Sequence, residues 1–420
     1  MKHFENKNGM LFIGECNALE LVKRYGTPLY VYDEQRIQEN TKRIMQVFQK
    51  HYKKTMVFYA VKANNNPVLM HILKEEGCGA DISNPEEMHI ALKSGISKEH
   101  MLCSAVFPSD EELQWMLKNK ITMHIGDFSE VKRLLSFEVP KIFSVRINPG
   151  AGNGRFKGLI TGGSDAKFGI SPQEALEAYV LAKNAGVNHF GIHMMTGSCI
   201  LDEKYFEEIT KKLFNIAGEI KKKLDFTFDF IDIGGGFGIP YQNEKELNIE
   251  YMAKRVCAVF EEQCNHYALG EPFLYLEPGR YLLADAGVLL TKVNAIKRDK
   301  KTFVGVDAGM NTLIRPMLYG AYHEVSIANK MDAKPQGRVN IVGPICENTD
   351  QFAQDRLFPA VEPGDILAIF DVGAYGFAMS SQYNGKPRAA EVLVKNGNSF
   401  CIRKRETLKD VLKNIQIPRT

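Results

Sequence analysis

The chain has 420 residues, 45% apolar and 25% charged, with 35 glycines and 17 prolines, a composition that excludes collagen-like, low-complexity and mainly disordered classes. Lysine plus arginine number 53 against 50 aspartates plus glutamates, too even a balance for the basic footprint of a nucleic-acid binder. The length suits two or three domains, and a β/α barrel alone takes about 250 residues.

In chain order, the first ten residues are polar, and the longest apolar run, Tyr281 to Leu290, is short and broken by Asp285. Neither export nor membrane insertion is expected. Eight cysteines without a C-x-x-C spacing are expected as reduced thiols in a cytoplasm. The run Leu29 to Tyr32 reads as a strand belonging with the C-terminal part of the chain. From there, apolar β-rich runs ending near Val61, Ile82, Ala105, Ile125, Ile147, Met194, Ile233 and Leu276 alternate with amphipathic stretches such as Pro67 to Glu76 and Asp202 to Leu224. This alternation predicts about eight βα units, hence an α/β fold built on a parallel barrel. After Glu277 come short strand-like runs (Thr302 to Val306, Arg338 to Val342, Asp365 to Phe370, Ala390 to Val394) punctuated by turn residues, which predict an antiparallel β-sandwich or barrel domain. The expected domains are 1–35 joining the β domain, 36–282 the barrel, and 283–420 the β domain.

A β/α barrel places its reactive groups at strand C-termini. The predicted strand ends carry Lys62, Asp81 with Ser83, Arg146 with Asn148, His193, Gly234 to Gly236, and Glu277 to Arg280. A lysine directed into a barrel mouth can be desolvated enough to form a Schiff base, although a strand-end lysine can equally pair with a carboxylate. Gly234-Gly-Gly-Phe-Gly238 lets backbone N–H groups approach a phosphate, or is a tight turn with no ligand. It does not match G-x-G-x-x-G, because position 239 is isoleucine. Glu277 in Glu277-Pro-Gly-Arg280 suits a protonated pyridine nitrogen and Arg280 a carboxylate, or Glu277 forms an ion pair with Arg146 or Arg280. In the β domain, Arg315-Pro-Met-Leu-Tyr319 suits a carboxylate and Glu347 an ammonium. Cys346 suits proton transfer, or is a buried small hydrophobe.

Taken together, Tyr59 to Asn64, Gly234 to Gly238, Glu277 to Arg280, Arg315 to Gly320, Cys346 to Asp350 and Gly373 to Gly376 resemble the diaminopimelate decarboxylases, members of the alanine-racemase-like group of pyridoxal-phosphate enzymes. The resemblance runs from about Gly26 to Val394. It implies a pyridoxal 5'-phosphate enzyme that decarboxylates meso-diaminopimelate to L-lysine, the last step of lysine biosynthesis. The working form would be a head-to-tail homodimer with active sites shared between subunits. Lys62 would bond the cofactor. Ser198 and Gly234, Gly235 and Gly236 would hold its phosphate, with further contacts from Asp81, Glu277, Pro278, Gly279 and Arg280. Arg280, Arg315 and Tyr319 would bind the substrate's distal carboxylate, and Glu347 its distal amino group. From the partner, Cys346 would donate a proton and Tyr375 would touch cofactor and substrate. No metal, membrane or nucleic acid is implied.

Two departures stand out. Where the family has His-x-His-Ile-Gly-Ser, this chain reads His193-Met-Met-Thr-Gly-Ser198, so Met195 replaces the histidine that lies on the pyridoxal ring. Asn348-Thr349 replaces smaller residues after the Cys-Glu pair. The alternative these raise is a related decarboxylase acting on another D-amino acid or a carrier-bound substrate in a specialised pathway. Racemisation and a non-catalytic pairing role are the remaining readings, against which stand the decarboxylase signatures and the presence of both Lys62 and Cys346.

Overall fold

The structure, a computed structural model, describes residues 4–418. The chain forms two compact units: Gln38–Pro240 with Lys245–Leu282, and the residues through Ile37 with Tyr241–Glu244 and those from Leu283 onward. In the first unit eight strands close into a barrel: β1 Thr55–Ala60, β2 Gly79–Ile82, β3 Met101–Cys103, β4 Thr122–Ile125, β5 Phe143–Ile147, β6 Phe190–Met194, β7 Phe230–Asp232 and β8 Phe273–Leu276. All neighbours are parallel, and β8 pairs back onto β1. No strand end lies more than two residues from its expected place. The helices between them start on strong caps. Asn66 and Asn84 accept from the N–H groups of Val68 and Glu87, each followed by proline at the first helical position. Ser109 and Ser171 form capping boxes with Glu112 and Glu174, and Asp202 caps Glu203–Leu224.

Side chains alternate between the two faces of a strand, so pairing register decides which groups meet inside the barrel. Gly191, His193 and Met195 share one face of β6 and the turn after it. Phe230 and Asp232 share a face of β7, and Tyr275 shares one with Glu277, just past β8. Pairing sets His193 beside Arg146 of β5 and Asp232 of β7. The deeper layer is aromatic: the Phe230 and Tyr275 rings stack at 4.5 Å, and Phe58 lies 4.7 Å from Tyr275. Gly191 makes room for them, since a Cβ there would lie 2.0 Å from the Phe230 ring. The layer nearer the strand C-termini is polar, which is where a barrel carries its chemistry.

The second unit is a nine-stranded sheet whose main path runs Gln351–Phe358, Gly337–Val342, Thr302–Val306, Gly287–Arg298, Leu29–Asp33, Ala390–Lys395 and Asn398–Arg403. Ile366–Ile369 pairs with Gly287–Arg298 and with Val325–Ile327. Most pairs are antiparallel, as expected, but two are not. Thr302–Val306 runs parallel to Gly337–Val342, and Leu29–Asp33 parallel to Ala390–Lys395. Leu29, Val31, Val288, Leu290, Ala368, Phe370 and Val392 form its core. Among the described residues no helix is long and apolar enough to cross a membrane.

Candidate active site

Lys62 occupies a single 3₁₀ turn, Val61–Ala63, directly after β1. Its side chain is 45% exposed, and Nζ lies 3.1 Å from Asp81 Oδ2. The strand-end ion pair weighed against a catalytic lysine is therefore formed, but with an unusual partner. Asp81 is fully buried and its Oδ1 has no hydrogen-bond partner. Burial, and after it the charge of Glu277, push its carboxyl above the ordinary range.

Glu277 is buried within a ring of polar side chains. Ser104 Oγ donates to Oε1 at 3.3 Å, and His193 Nε2 lies 3.1 Å from Oε2. His124 Nε2 is 3.6 Å from Glu277 Oε1 and 3.5 Å from Asp232 Oδ2. Glu277 thus contacts histidines, and among the described residues its link to Arg146 is a longer-range charge interaction rather than a direct ion pair. The two imidazoles stack at 4.2 Å. Burial holds both below the ordinary histidine range, His193 far below it. Ser144 Oγ fixes His124 through Nδ1 at 2.8 Å. Asp232 Oδ1 accepts the Gly234 N–H at 2.7 Å, while burial and Glu277 push its carboxyl well up.

The glycines after β7 are required by backbone geometry. Gly234 and Gly236 have φ of 70° and 93°, and a Cβ on Gly235 would lie 2.1 Å from Glu277 O. The Gly235 N–H points at Met195 Sδ, 3.2 Å away. The Met195 carbonyl accepts from Arg146 Nη2 at 3.3 Å and Thr161 Oγ1 at 3.1 Å, so this methionine is anchored at both ends. Ser198 Oγ accepts from Arg280 Nη2 at 3.3 Å. Pro278 O accepts the Ala60 N–H at 3.2 Å, tying the Glu277-Pro278-Gly279 segment to the strand that leads into Lys62.

The remaining candidates belong to the second unit. Arg315, 1% exposed, begins the short helix Arg315–Tyr319, with half-buried Tyr319 at its end and Gly320 (φ 63°) closing it. Cys346 and Glu347 are exposed on a turn organised by buried Asp350, whose two carboxylate oxygens accept the N–H groups of Met310 and Ile345. Cys346 is therefore not a buried hydrophobe, and Asn384 Nδ2 lies 3.2 Å from its sulfur. Hydrogen bonds from Thr349 and Tyr383 hold the Glu347 carboxyl below the usual range. Both residues line a cleft of about 510 Å³ with Lys297 and Phe303. Tyr375 is half-buried at a positive φ of 57°, between Gly373 and Gly376.

Residues 35–284 match the family model described as "Pyridoxal-dependent decarboxylase, pyridoxal binding domain". The diaminopimelate decarboxylase of Methanothermobacter thermautotrophicus is 43% identical over 98% of this chain and 97% of its own length. The chain belongs to the diaminopimelate decarboxylase family. The Bacillus subtilis diaminopimelate decarboxylase is 34% identical over 97% of this chain and 96% of its own. Among solved structures, diaminopimelate decarboxylase from M. jannaschii in complex with L-lysine superposes with a TM-score of 0.89 at 33% identity, covering 99% and 98% of the two chains. The Helicobacter pylori diaminopimelate decarboxylase, also complexed with L-lysine, gives 0.86 at 33% identity over 94% and 98%.

The residues present fit the cofactor of a pyridoxal-dependent decarboxylase. The glycine cradle admits no Cβ where an anion would approach the backbone, a lysine opens into the barrel mouth, and Asp81 Oδ1 is a buried polar atom with no hydrogen-bond partner. Ser104, His124 and Asp232, which the sequence does not single out, also belong to the buried polar ring around Glu277. Asp232 lies two residues before Gly234, and its period-2 phase with that glycine assigns it inward. His124 carries no such signal, because a lone histidine in a short strand resembles any core position.

Proposed function

We propose that this protein decarboxylates meso-diaminopimelate at its D-centre, releasing carbon dioxide and L-lysine, the last step of lysine biosynthesis. The observation that carries the reading is the near full-length similarity to diaminopimelate decarboxylases, together with a barrel interior that sets Lys62 against Asp81 and ties Asp81 electrostatically to Glu277. When bound, pyridoxal 5'-phosphate supplies an electron sink for the pair left behind as carbon dioxide departs.

Lys62 would hold the cofactor through its ε-amino group, which Asp81 orients. The Gly234 to Gly236 loop, whose Gly234 N–H is held by Asp232, would bind the phosphate through the backbone N–H groups of Gly235 and Gly236 with the Ser198 hydroxyl, and Pro278, Gly279 and Arg280 would complete the cofactor contacts. Glu277, oriented by His193 and Ser104, holds a proton at the ring nitrogen. Met195 would offer the ring a polarizable sulfur where the family has an imidazole. Arg315, Tyr319 and Arg280 grip the distal carboxylate, and Glu347 the distal ammonium, so the L-centre is recognised and the D-centre presented for cleavage. In a cytoplasmic homodimer the partner copy supplies Cys346, whose thiol delivers a proton to the α-carbon, and Tyr375.

The test is carbon dioxide release by the cofactor-loaded protein from meso-diaminopimelate beside D-lysine and D-ornithine, with the product identified. Selective release from the meso compound, lost in Lys62→Ala and mostly lost in Cys346→Ala, is the expected result. Greater efficiency on D-lysine or D-ornithine would replace this reading with a decarboxylase of different specificity.

A further inference from the structure

Arg315 is buried in the second unit with no carboxylate in direct contact, although its charge reaches the buried Asp371 at longer range. Among the described residues no carboxylate lies within ion-pair distance of it, and its Nε and Nη2 are buried with no hydrogen-bond partner. Its Nη1 is doubly engaged, donating to Tyr241 Oη at 3.1 Å and to His323 Nε2 at 3.0 Å. The guanidinium also lies over the Tyr241 ring at 4.8 Å, and the His323 ring meets that ring edge-on at 5.3 Å. His323 is fully buried, with Nδ1 2.8 Å from the carbonyl oxygen of Phe370. A carbonyl only accepts, so Nδ1 carries the hydrogen and Nε2 offers its lone pair to the arginine. The imidazole is neutral in this arrangement, its tautomer set from behind by the backbone.

Two neutral acceptors therefore fix one corner of the guanidinium without neutralising it. The opposite edge, Nε with Nη2, keeps two parallel donors, the pattern that takes a carboxylate bidentately. An aspartate or glutamate at position 323 would orient Arg315 equally well but would also satisfy its charge, leaving less for a ligand. We infer that His323, assisted by Tyr241, is a positioning residue that fixes Arg315 for bidentate capture of the substrate's distal carboxylate, and so sets the preference for ligands bearing that group. This rests on the reading of Arg315 as the distal carboxylate's partner.

The test uses the cofactor-loaded enzyme and two ligands that differ only in that group: L-lysine, which retains the distal carboxylate, and cadaverine, which lacks it. In His323→Phe the L-lysine dissociation constant and the KM for meso-diaminopimelate should rise about tenfold or more, as expected for loss of a hydrogen bond to a charged group. Cadaverine affinity and kcat should stay within about twofold, a change too small for a lost charged hydrogen bond. His323→Gln, which keeps an acceptor at reach, should recover most of the loss, and Tyr241→Phe should show a smaller rise. Equal losses for both ligands, a fall confined to kcat, or no difference between the Gln and Phe variants would overturn the positioning role. Arg315→Lys separates the two layers. If it leaves L-lysine binding unchanged, the assignment of Arg315 itself fails. If it weakens L-lysine binding while His323→Phe does not, only the role of His323 fails.

Discussion

Asp232 illustrates how a buried carboxyl can serve as a hydrogen-bonding group rather than a charge. Burial and the neighbouring Glu277 push it far toward its protonated form, while its Oδ1 is committed to the Gly234 N–H at the start of the glycine cradle. A protonated acid and an amide are nearly isosteric, so Asp232→Asn should preserve both the cradle and the neutral state of the site. We expect its melting temperature within about 2 °C of wild type and its affinity for pyridoxal phosphate little changed, since no charge or accepted hydrogen bond is lost. Asp232→Ala leaves a buried N–H without an acceptor, at a cost of about 1–3 kcal/mol, and should release the cofactor more readily. Equilibrium dialysis and thermal melts of the two variants check this. Equal damage in both would mean that Asp232 acts as a charge.

At the scale of elements, the barrel depends on which strands carry glycine as much as on which carry large side chains. Gly191 of β6 faces Phe230 of β7, and a methyl group there would overlap the ring. The ring is also stacked on Tyr275, with His124 against its edge, so it has nowhere to retreat. Gly191→Ala should therefore destabilise the protein by about 1–3 kcal/mol through overpacking, read as a lower urea midpoint at unchanged slope, whereas Gly186→Ala, whose added Cβ meets nothing within 4 Å, should cost less despite its φ of 96°. The barrel's element order is legible in the sequence because each unit repeats one pattern, an apolar run, a polar strand end and a capped helix, so Lys62, Gly234 to Gly236 and Glu277 stand out at strand ends. The parallel pairings of the second unit are not legible, since Leu29–Asp33 and Ala390–Lys395 meet across nearly the whole chain, and local pattern carries no information about partners so distant. The same limit hid His323. Its role comes from a contact to Arg315 eight residues away and a carbonyl 47 residues away, not from its neighbours in the sequence.

For the molecule as a whole, the stacked histidines inside the barrel give stability a definite dependence on pH. His124 and His193 are neutral in the fold, because burial outweighs the pull of Glu277 and Asp81 on His124 and of Asp81 on His193. In the unfolded chain each titrates near the ordinary value of about 6.5. Below that pH the unfolded state binds protons that the folded state refuses, so stability rises with pH up to about 6.5 and falls as pH drops beneath it, by up to about 1.4 kcal/mol per pH unit for each histidine. The raised carboxyls Asp81 and Asp232 act in the opposite sense. They keep protons in the fold that the unfolded chain releases, so their contribution is largest at low pH and is lost as pH rises above the unfolded value of about 4. The two effects are separable by substitution. Urea unfolding of the cofactor-free protein between pH 6.5 and 5.0 should show a smaller acid loss in His193→Gln than in wild type, even if the variant is less stable at pH 7. An acid limb as steep in the variant as in wild type would mean that His193 takes up its proton inside the fold, which its contact with the Glu277 carboxylate would then have to stabilise.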